Sequence, residues 1–268
     1  MARAAGNKSY YTFNLYNEGS GKHDKSKSIQ LDSVTSIISA TLAKPALVWW
    51  AYATTVEAIS GMVAAHLEAD EGHPDIITDI LDTLSDADEL GAYLKENRLR
   101  PEDQRDEAAS RGSEAHDFLK LLSKSGMVEL TQADKVAQRS LRDDPEGYRK
   151  GLSDWWMTRK PRPEASEKML ISLKHQYAGT VDLVYWDAND MLVLMDLKTR
   201  KEGGKAYDSD YIQVGAYVMA WNETHREQIN RGTVLIVQPN GKWEETVSPF
   251  ANEVFLDLVS VYRATRKG

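Results

Sequence analysis

The sequence predicts an α/β protein in which a largely helical N-terminal region precedes a core of strands and helices. Two observations support this prediction. Residues 165–200 contain three short apolar runs rich in Val, Leu and Tyr, as buried strands do. Residues 34–157 instead carry apolar residues at helical spacing, and that spacing returns at 208–224, before two further strand-like runs. We expect a hairpin and helical region over 1–100 and the α/β core over 101–268.

The N-terminal region is predicted to begin with a hairpin. Residues 10–16 alternate apolar and polar side chains, as a strand does, and residues 28–31 could form the returning strand. The polar residues 19–27 between them predict a loop. Ser33 is a suitable N-cap for a helix over 34–42.

Further helices of this region follow from apolar spacing and from the positions of Pro and Gly. They are predicted at residues 46–68, 76–94 (as one or two helices), 101–123, 131–137 and 145–157. Pro45 and Pro101 suit the first turns of two of these helices. Gly126 stands just beyond the predicted end of the third, where glycine often terminates a helix.

The elements of the core are delimited by turn signals. Pro161 and Pro163 interrupt the pattern before the first strand, and residues 188–190 and 239–241 predict turns between strands. The strands are predicted at residues 165–173, 177–186, 191–198, 233–237 and 243–247, and the helices at residues 208–224 and 250–266.

Composition excludes several classes of protein. The chain has 268 residues, of which 41% are hydrophobic, so a sizeable packed core is possible. It has no run of eighteen apolar residues and no apolar N-terminal segment, so we expect neither a membrane span nor a secretory signal. Cysteine is absent, which excludes disulfides, Cys-ligated zinc and a Cys-ligated iron–sulfur cluster. A cytoplasmic protein of a bacterial or phage-infected cell is the simplest expectation.

The net charge of −8 is concentrated in one segment. Residues 68–107 hold 14 acidic and 4 basic residues, whereas the rest of the chain has 27 acidic and 29 basic residues. Binding to phosphate depends on local potential, so a nucleic-acid partner is not excluded. Basic residues gather before the predicted strands 165–173, 177–186 and 191–198 and at or after their end. They are Arg159, Lys160, Arg162, Lys198, Arg200, Lys201 and Lys205. We expect Arg200 to contact substrate. Alternatively, the acidic segment 68–107 and these basic residues could both simply be solvated surface.

Three charged residues on two neighbouring predicted strands form the candidate catalytic centre. Asp182 lies on one strand, and Asp196 and Lys198 lie at the end of the next. Alternation along a strand points Asp196 and Lys198 to the same side, and a tight hairpin would bring Asp182 close to them at the edge of a sheet. Carboxylates so arranged suit a hard divalent ion such as magnesium, and the lysine could orient or deprotonate a water molecule.

Four further residues could extend this centre. His116 borders the apolar stripe of its helix, where a structural histidine is the common case, but near carboxylates it could be a nitrogen ligand. Glu167 could supply another carboxylate or form a surface ion pair. Gln213 and Tyr217 share one helix face and could contact a phosphate or a base, although Tyr217 could equally pack in the core.

Several tryptophans are candidates for stacking on nucleobases, since such stacking is tolerant of sequence. The alternative is that they belong to the core, where paired tryptophans on helices are usually found. The residues in question are Trp49, Trp50, Trp155 and Trp156.

Taken in order, these motifs resemble the RecB-like branch of the PD-(D/E)xK nuclease superfamily. The resemblance covers residues 108–221, and weaker similarity at residues 31–38 and 47–51 is to phage and mitochondrial genome-maintenance exonucleases. The motifs are Gly-x-x-x-His ending at His116, Glu167, Gly-Thr-Val-Asp ending at Asp182, Asp-Leu-Lys ending at Lys198, and Gln-x-x-x-Tyr ending at Tyr217. The usual proline before the first acid is replaced here, and the four cysteines of the iron–sulfur members are missing.

The resemblance implies a restriction-endonuclease-like core, with a mixed sheet of four or five strands flanked by helices. It implies Mg²⁺ or Mn²⁺ as cofactor, no iron–sulfur cluster, and DNA as substrate. Its implied metal ligands are His116, Asp182, Asp196 and the Leu197 carbonyl. Lys198 would position water and Glu167 would assist in the catalytic shell, while Gln213 and Tyr217 would hold DNA.

We therefore expect a metal-dependent exonuclease that acts on free single-stranded or duplex DNA ends in recombination, repair or replication. A recombination or single-strand-binding protein could be its partner. Two alternatives remain at this stage. One is a structure-specific endonuclease of the same fold, which activity on closed circular DNA would reveal. The other is a non-catalytic module that binds recombination partners, for which the acidic segment would supply the docking surface.

Overall fold

A computed structural model describes residues 10–17, 22–42, 45–69, 86–143 and 147–266. These residues form seven strands and eight helices. The strands are β1 (Tyr10–Asn17), β2 (Lys22–Ser33), β3 (Arg162–Ser172), β4 (Tyr177–Trp186), β5 (Leu192–Thr199), β6 (Arg231–Val237) and β7 (Trp243–Val247). The helices are α1 (Val34–Thr41), α2 (Pro45–Ala69), α3 (Ala87–Glu96), α4 (Pro101–Val128), α5 (Leu130–Asp143), α6 (Gly147–Arg159), α7 (Asp208–Thr224) and α8 (Val254–Arg266).

Local sequence signals account for many of these boundaries. The Ser33 side chain accepts a hydrogen bond from the Ser36 amide at 3.0 Å, so Ser33 caps α1 as predicted. Pro45 and Pro101 begin α2 and α4. Part of the predicted helix 76–94 lies outside the described residues; within them, α3 starts after Asp86, whose side chain accepts two backbone amides. None of the described helices is long and apolar enough to cross a membrane.

The chain divides into two compact units, one formed by Lys44–Gly112 and the other by Met1–Ala43 together with Ser113–Gly268. In the smaller unit, α2 buries Thr54, Ala58 and Met62, which lie four residues apart and therefore on one helix face. The larger unit contains the whole sheet, because the N-terminal hairpin contributes two of its strands.

The strands form one seven-stranded mixed sheet, so the α/β fold class is confirmed. Six strands follow the order β1-β2-β4-β5-β6-β7, and β3 also pairs with β4. Pairing is parallel for β2–β4 and β5–β6 and antiparallel elsewhere. The expectation of four or five strands was too low because the β1–β2 hairpin joins the sheet through β4 instead of standing apart.

Strand β4 has three partners, and this produces a fork in the sheet. Along one edge β4 pairs with β3 over its whole length. Its other edge is shared: β2 pairs with Tyr177 and Ala178, whereas β5 pairs only with residues 183–186. Residues 179–182 therefore lie where β5 has diverged from β4, in a gap between β2 and β5.

Helices pack on both faces of the sheet. Along β5, Val193, Met195 and Leu197 belong to the core shared with α4, α5 and α6, while Leu192 and Leu194 belong to the core shared with α1, α7 and α8. This alternation is the two-residue period of a strand. It directs the side chains of Asp196 and Lys198 towards the α7 side.

Three local predictions were wrong. Strand β2 begins at Lys22, inside the predicted loop 19–27, because the hairpin is longer than its apolar residues indicate. Strand β3 begins at Arg162 and includes Pro163, next to an irregularity in its pairing with β4, where a proline is tolerated. Helix α4 continues past Gly126, where an added Cβ would lie 3.0 Å from Trp156, so glycine is needed there for close packing.

The proposal that tryptophans stack on bases fails for two of the four. Trp155 and Trp156 are buried against the sheet, where Trp155 packs edge-on to Tyr185 with ring centroids 5.7 Å apart. Their indole N–H groups donate to Glu245 and Asp134, at 3.2 and 3.3 Å. The side chains of Trp49 and Trp50 lie outside the described residues.

Candidate active site

Asp182 lies at the fork in the sheet and not at an outer edge, where it was expected. The residue is 8% exposed, and its Oδ2 accepts the Leu197 backbone N–H at 2.7 Å. The strand ladder between β4 and β5 ends at Leu183 and Met195. The Asp182 side chain therefore takes over the role of a strand partner for β5 just beyond the end of that ladder.

His116 reaches the same carboxylate from α4. Ala115, Leu119 and Leu122 form the buried stripe of this helix, as predicted, and His116 borders that stripe. Its Nδ1 lies 3.2 Å from Asp182 Oδ1. Burial lowers the pKa of His116, but the hydrogen bond to Asp182 and nearby carboxylate charge outweigh burial, so the pKa is raised.

Glu167 completes a group of three potential ligands. Ser166 pairs with Leu183 and Lys168 with Val181, so Glu167 stands opposite Asp182 across the β3–β4 ladder. One ligand atom each from His116, Glu167 and Asp182 lies within 4.8 Å of the other two. Burial raises the pKa of Glu167, and the negative charge of Asp182 raises it further.

Glu167 has a left-handed backbone conformation in the middle of a strand. Its φ is +51°, which costs a residue with a Cβ roughly 1–2 kcal/mol. Such strain persists only where the surroundings impose it, and it concentrates at functional sites. Here it occurs at the residue whose carboxylate joins the His116–Asp182 pair.

Asp196 and Lys198 form a second group close to these three ligands, since the charge of Asp182 acts on both. Lys198 Nζ lies 2.5 Å from Asp196 Oδ2, and the Asp196 carboxylate is 2% exposed. Burial raises the pKa of Asp196 to about 6, against the opposing charge of Lys198. For Lys198, burial disfavours the charged form, but the carboxylates of Asp196 and Asp182 outweigh it and raise the pKa. The lysine is thus held as an ammonium ion.

Gln213 on α7 connects this ion pair to Tyr217. Its Nε2 donates to Asp196 Oδ1 at 3.1 Å and to the Tyr217 hydroxyl at 2.9 Å, while its Oε1 accepts from Lys198 Nζ at 3.3 Å. Gln213 therefore positions both members of the ion pair. Tyr217 is buried in the core beside it, and burial holds the pKa of its hydroxyl well above the usual value.

Gly179 belongs to the site although its role was not recognised from the sequence. A Cβ at this position would lie 2.3 Å from Tyr217 Cε1. Only glycine lets the tyrosine ring pack against β4 and bring its hydroxyl to Gln213. Gly179 is the glycine of the Gly-Thr-Val-Asp motif, so the sequence did show it. Its packing role could not be inferred without knowing that Tyr217 lies against it.

The other predicted site residues occupy different environments. Leu197 is buried, and its N–H is bound by Asp182; a ligand role for its carbonyl remains a prediction. Arg200 Nη2 donates to Asp210 Oδ2 at 2.5 Å, so the guanidinium expected to bind substrate is already engaged by a carboxylate. The basic residues of segment 159–162 form ion pairs with Glu245, Asp134 and Asp190.

The donor set at the fork suits a divalent ion. Two carboxylates and an imidazole nitrogen converge there, and oxygen-rich sites of this kind accept Mg²⁺ or Mn²⁺. A positively charged lysine lies nearby, held by Asp196 and Gln213. The arrangement can bind a cation and an anionic group next to each other.

The family model described as the PD-(D/E)XK nuclease superfamily matches residues 89–257, which include every candidate site residue. No curated protein sequence matches the chain significantly. Among solved structures, the protein SSO0001 is 12% identical, with a TM-score of 0.31 over 57% of this chain and 72% of that chain.

Proposed function

This chain belongs to the PD-(D/E)XK nuclease superfamily, and we propose that it is a divalent-metal-dependent DNA exonuclease of the RecB-like branch. On this proposal it is similar to the phage and mitochondrial genome-maintenance exonucleases, and it hydrolyses phosphodiester bonds from free DNA ends. Such an activity would serve recombination, repair or replication, with a recombination or single-strand-binding protein as a possible class of partner.

The observation that carries the proposal is the convergence of two groups at the fork between β4 and β5. The first is the ligand group of His116, Glu167 and Asp182. The second is the Asp196–Lys198 ion pair. A structural role alone would not require Asp182 and Asp196 to be buried close to a third carboxylate, because burial of each charged group costs free energy.

We assign the metal to His116, Glu167 and Asp182, with Asp196 as a further ligand as the family resemblance implies. A divalent ion bound there would supply electrostatic stabilisation of the extra negative charge that develops on a phosphodiester during hydrolysis. The role of the carboxylates is to hold that positive charge beside the scissile phosphate.

Lys198 supports the same reaction as a charged donor. Its raised pKa keeps it protonated at neutral pH, so we assign it the orientation of the attacking water and not its deprotonation. Gln213 keeps the ammonium group in place through the 3.3 Å hydrogen bond to its Oε1. Tyr217 contributes through Gln213, because its hydroxyl is buried.

Dependence on ends follows from the charge of the chain. Outside residues 68–107 basic residues exceed acidic ones by only two, which is too few to hold duplex flanks tightly by electrostatics. Retention of a strand threaded from its end would not need a large basic surface. We therefore propose that cleavage starts at a terminus and that closed circles resist it.

A time course on end-labelled DNA tests the proposal. Linear single strands, linear duplexes and closed single-stranded circles are incubated with Mg²⁺, Mn²⁺ or EDTA, with Lys198→Ala as the control for contaminating nucleases. We expect linear DNA to yield short products with metal only, and the circle to survive until it is linearised. Metal-dependent nicking of the circle would favour an endonuclease, and inertness of every substrate would favour a non-catalytic module.

A further inference from the structure

The loop between β5 and α7, residues 200–207, flanks the candidate site on its α7 side. It begins two residues after Lys198 and ends at Tyr207, immediately before α7. Gln213, which binds Lys198, lies six residues further along that helix, a rise of about 9 Å from Tyr207. A strand with a phosphate at the site would therefore pass close to this loop.

Contacts with the β6–β7 turn hold the loop in place. The Arg200 N–H donates to the Val237 carbonyl at 3.0 Å. The Gly203 N–H donates to Gln238 Oε1 at 3.3 Å, and Gln238 Nε2 donates to the Gly204 carbonyl at 3.3 Å. The loop is therefore anchored at its start and near its middle, so its surface is preorganised for a ligand.

Tyr207 presents an aromatic face from the end of this loop. Its side chain is exposed, with 62% of the residue surface accessible, and the Arg200 guanidinium carbon lies 4.6 Å from the ring centroid. Asp210 Oδ2 accepts both Arg200 Nη2, at 2.5 Å, and the Tyr207 backbone N–H, at 2.9 Å. One carboxylate thus holds both the backbone of Tyr207 and the cation that packs against its ring, while Tyr207 as a residue remains exposed.

The charge of the loop distinguishes it from the other basic segment near the core. Lys201 and Lys205 are exposed, and neither forms an ion pair with any residue that the structure describes. Glu202 is exposed between them. By contrast, the basic residues of segment 159–162 are each paired with a carboxylate. The loop thus combines accessible positive charge with an accessible aromatic ring.

We propose that Tyr207 is a stacking platform for an unpaired nucleobase next to the scissile phosphate, with Lys201 and Lys205 close to the neighbouring phosphates. Binding of single strands combines these two elements, aromatic stacking and backbone electrostatics. A base inside a duplex is already stacked on its neighbours and offers no free face. The inference rests on the proposed function and deepens it, since it assigns single-stranded DNA as the preferred substrate.

The test measures binding and does not require cleavage. A short fluorescent single strand is titrated with the full chain in EDTA, and the dissociation constant is obtained from fluorescence anisotropy. We expect Tyr207→Ala to weaken binding about ten-fold, which equals about 1.4 kcal/mol and falls in the range of base–aromatic stacking. Tyr207→Trp should stay within about two-fold of the wild type because indole also stacks.

Two controls separate stacking from other causes. Met191→Ala removes another exposed apolar side chain at the opposite end of β5 and should leave binding unchanged. A strand of abasic nucleotides should bind the wild type about as weakly as Tyr207→Ala binds the normal strand, with no further loss in the variant. Unchanged melting temperatures would establish that the Tyr207 variants are folded.

The outcomes distinguish this inference from the proposed nuclease activity. Equal losses for normal and abasic strands, or normal binding by Tyr207→Ala, would overturn the stacking role whether or not the protein cleaves DNA. Failure of the wild type to bind the single strand would overturn it too. Tyr207-dependent binding by a protein that cleaves nothing with metal would instead support the platform and refute the nuclease.

Discussion

The two ends of strand pair β4–β5 both hold buried carboxylates, but they satisfy them differently. At the hairpin end, Glu245 on β7 has a side chain only 6% exposed. It accepts four hydrogen bonds, from Trp155 Nε1 at 3.2 Å, Arg159 Nε at 2.9 Å, Tyr185 Oη at 2.7 Å and Thr233 Oγ1 at 3.1 Å. A cavity of about 240 Å³ adjoins this group. The hydrogen-bonding capacity of the Glu245 carboxylate is thus satisfied by donors of the protein itself.

At the fork end, three carboxylates share about as many donor groups as Glu245 has alone. Asp182 receives one backbone N–H and lies beside His116, while Glu167 and Asp182 repel each other. Asp196 forms an ion pair with Lys198 and accepts a hydrogen bond from Gln213. The strained backbone of Glu167 adds to the cost.

Burial of an acid therefore does not by itself mark a functional site. Saturation with donors indicates a structural carboxylate, as at Glu245. Few donors for each carboxylate, together with a raised pKa at Glu167, indicate a carboxylate group suited to a cation, as at Glu167 and Asp182. Changes at the two ends should therefore affect different properties of the protein.

The largest effect is expected at the Asp196–Lys198 pair. Lys198→Ala and Asp196→Asn should each lower the cleavage rate by at least about 100-fold, the usual loss on removal of one preorganised electrostatic group. Single-turnover rates on linear DNA measure this, with thermal melting as the control for folding. Near-normal rates in either folded variant would remove the pair from the catalytic site.

Replacement of a ligand carboxylate should weaken metal binding directly. Asp182→Asn should lower Mn²⁺ affinity about ten-fold or more, because an amide oxygen is a poorer ligand for a hard cation. Isothermal titration with Mn²⁺ measures the change. The matched variant at the other end, Glu245→Gln, should retain wild-type affinity, and an equal loss in both would contradict the distinction between the ends.

Acid should reproduce this loss reversibly. The pKa values of His116 and Glu167 are raised, and that of Asp196 is raised to about 6, so protons compete with the metal at higher pH than at ordinary carboxylates. Mn²⁺ affinity should therefore rise steeply as pH increases from about 5 to 7 and then level off. Affinity that is constant over this range would argue against ligation by these groups.

Removal of the compensated carboxylate should affect stability alone. Glu245→Ala leaves the N–H and O–H donors of Trp155, Tyr185 and Thr233 without their acceptor, which should lower the free energy of unfolding by about 1–3 kcal/mol. Urea denaturation measures this. The cleavage rate of the folded variant should remain within about two-fold of the wild type, and a large loss of activity would show that the hairpin end contributes to function.

The smallest change in stability is expected at Glu167, where the order of stability of two variants tests the backbone strain. Glu167→Gly removes the cost of a positive φ but adds chain entropy on unfolding, so the free energy of unfolding should change by less than about 1 kcal/mol. Glu167→Ala keeps the strained backbone and should be the less stable of the two. Both should bind Mn²⁺ more weakly than the wild type; unchanged affinity would mean that the strain has another origin.

Much of the fold was predictable from local pattern. Strand β4 and helix α7 coincide with their predicted ranges, because their apolar residues recur at strand and helix spacing. The pairing of β4 with β5 followed from the short turn between them. The longer hairpin β1–β2 and the continuation of α4 through Gly126 were missed, since polar strand residues and a glycine chosen for packing resemble loop signals.

The candidate site was predictable as a set of residues but not as an arrangement. Residue type and spacing predicted Asp182, Asp196 and Lys198 as site residues and predicted that they converge. They did not reveal that β5 diverges from β4 at Asp182, or that Gln213 links Lys198 to Tyr217. Nor could residue type and spacing distinguish Trp155, which is buried and whose indole N–H donates to Glu245, from an exposed aromatic residue such as Tyr207.

The sequence by itself determined which chemical groups the chain carries and which of them fall on the same strand or helix face, because those depend on the local periods of the backbone. The tertiary structure decided which groups meet and at what cost. The fork exists because β2 and β5 share one edge of β4 while β3 occupies the other, and Gly179 matters because Tyr217 packs on it. Contacts between residues distant in sequence set the burial, and burial sets the electrostatics of the site.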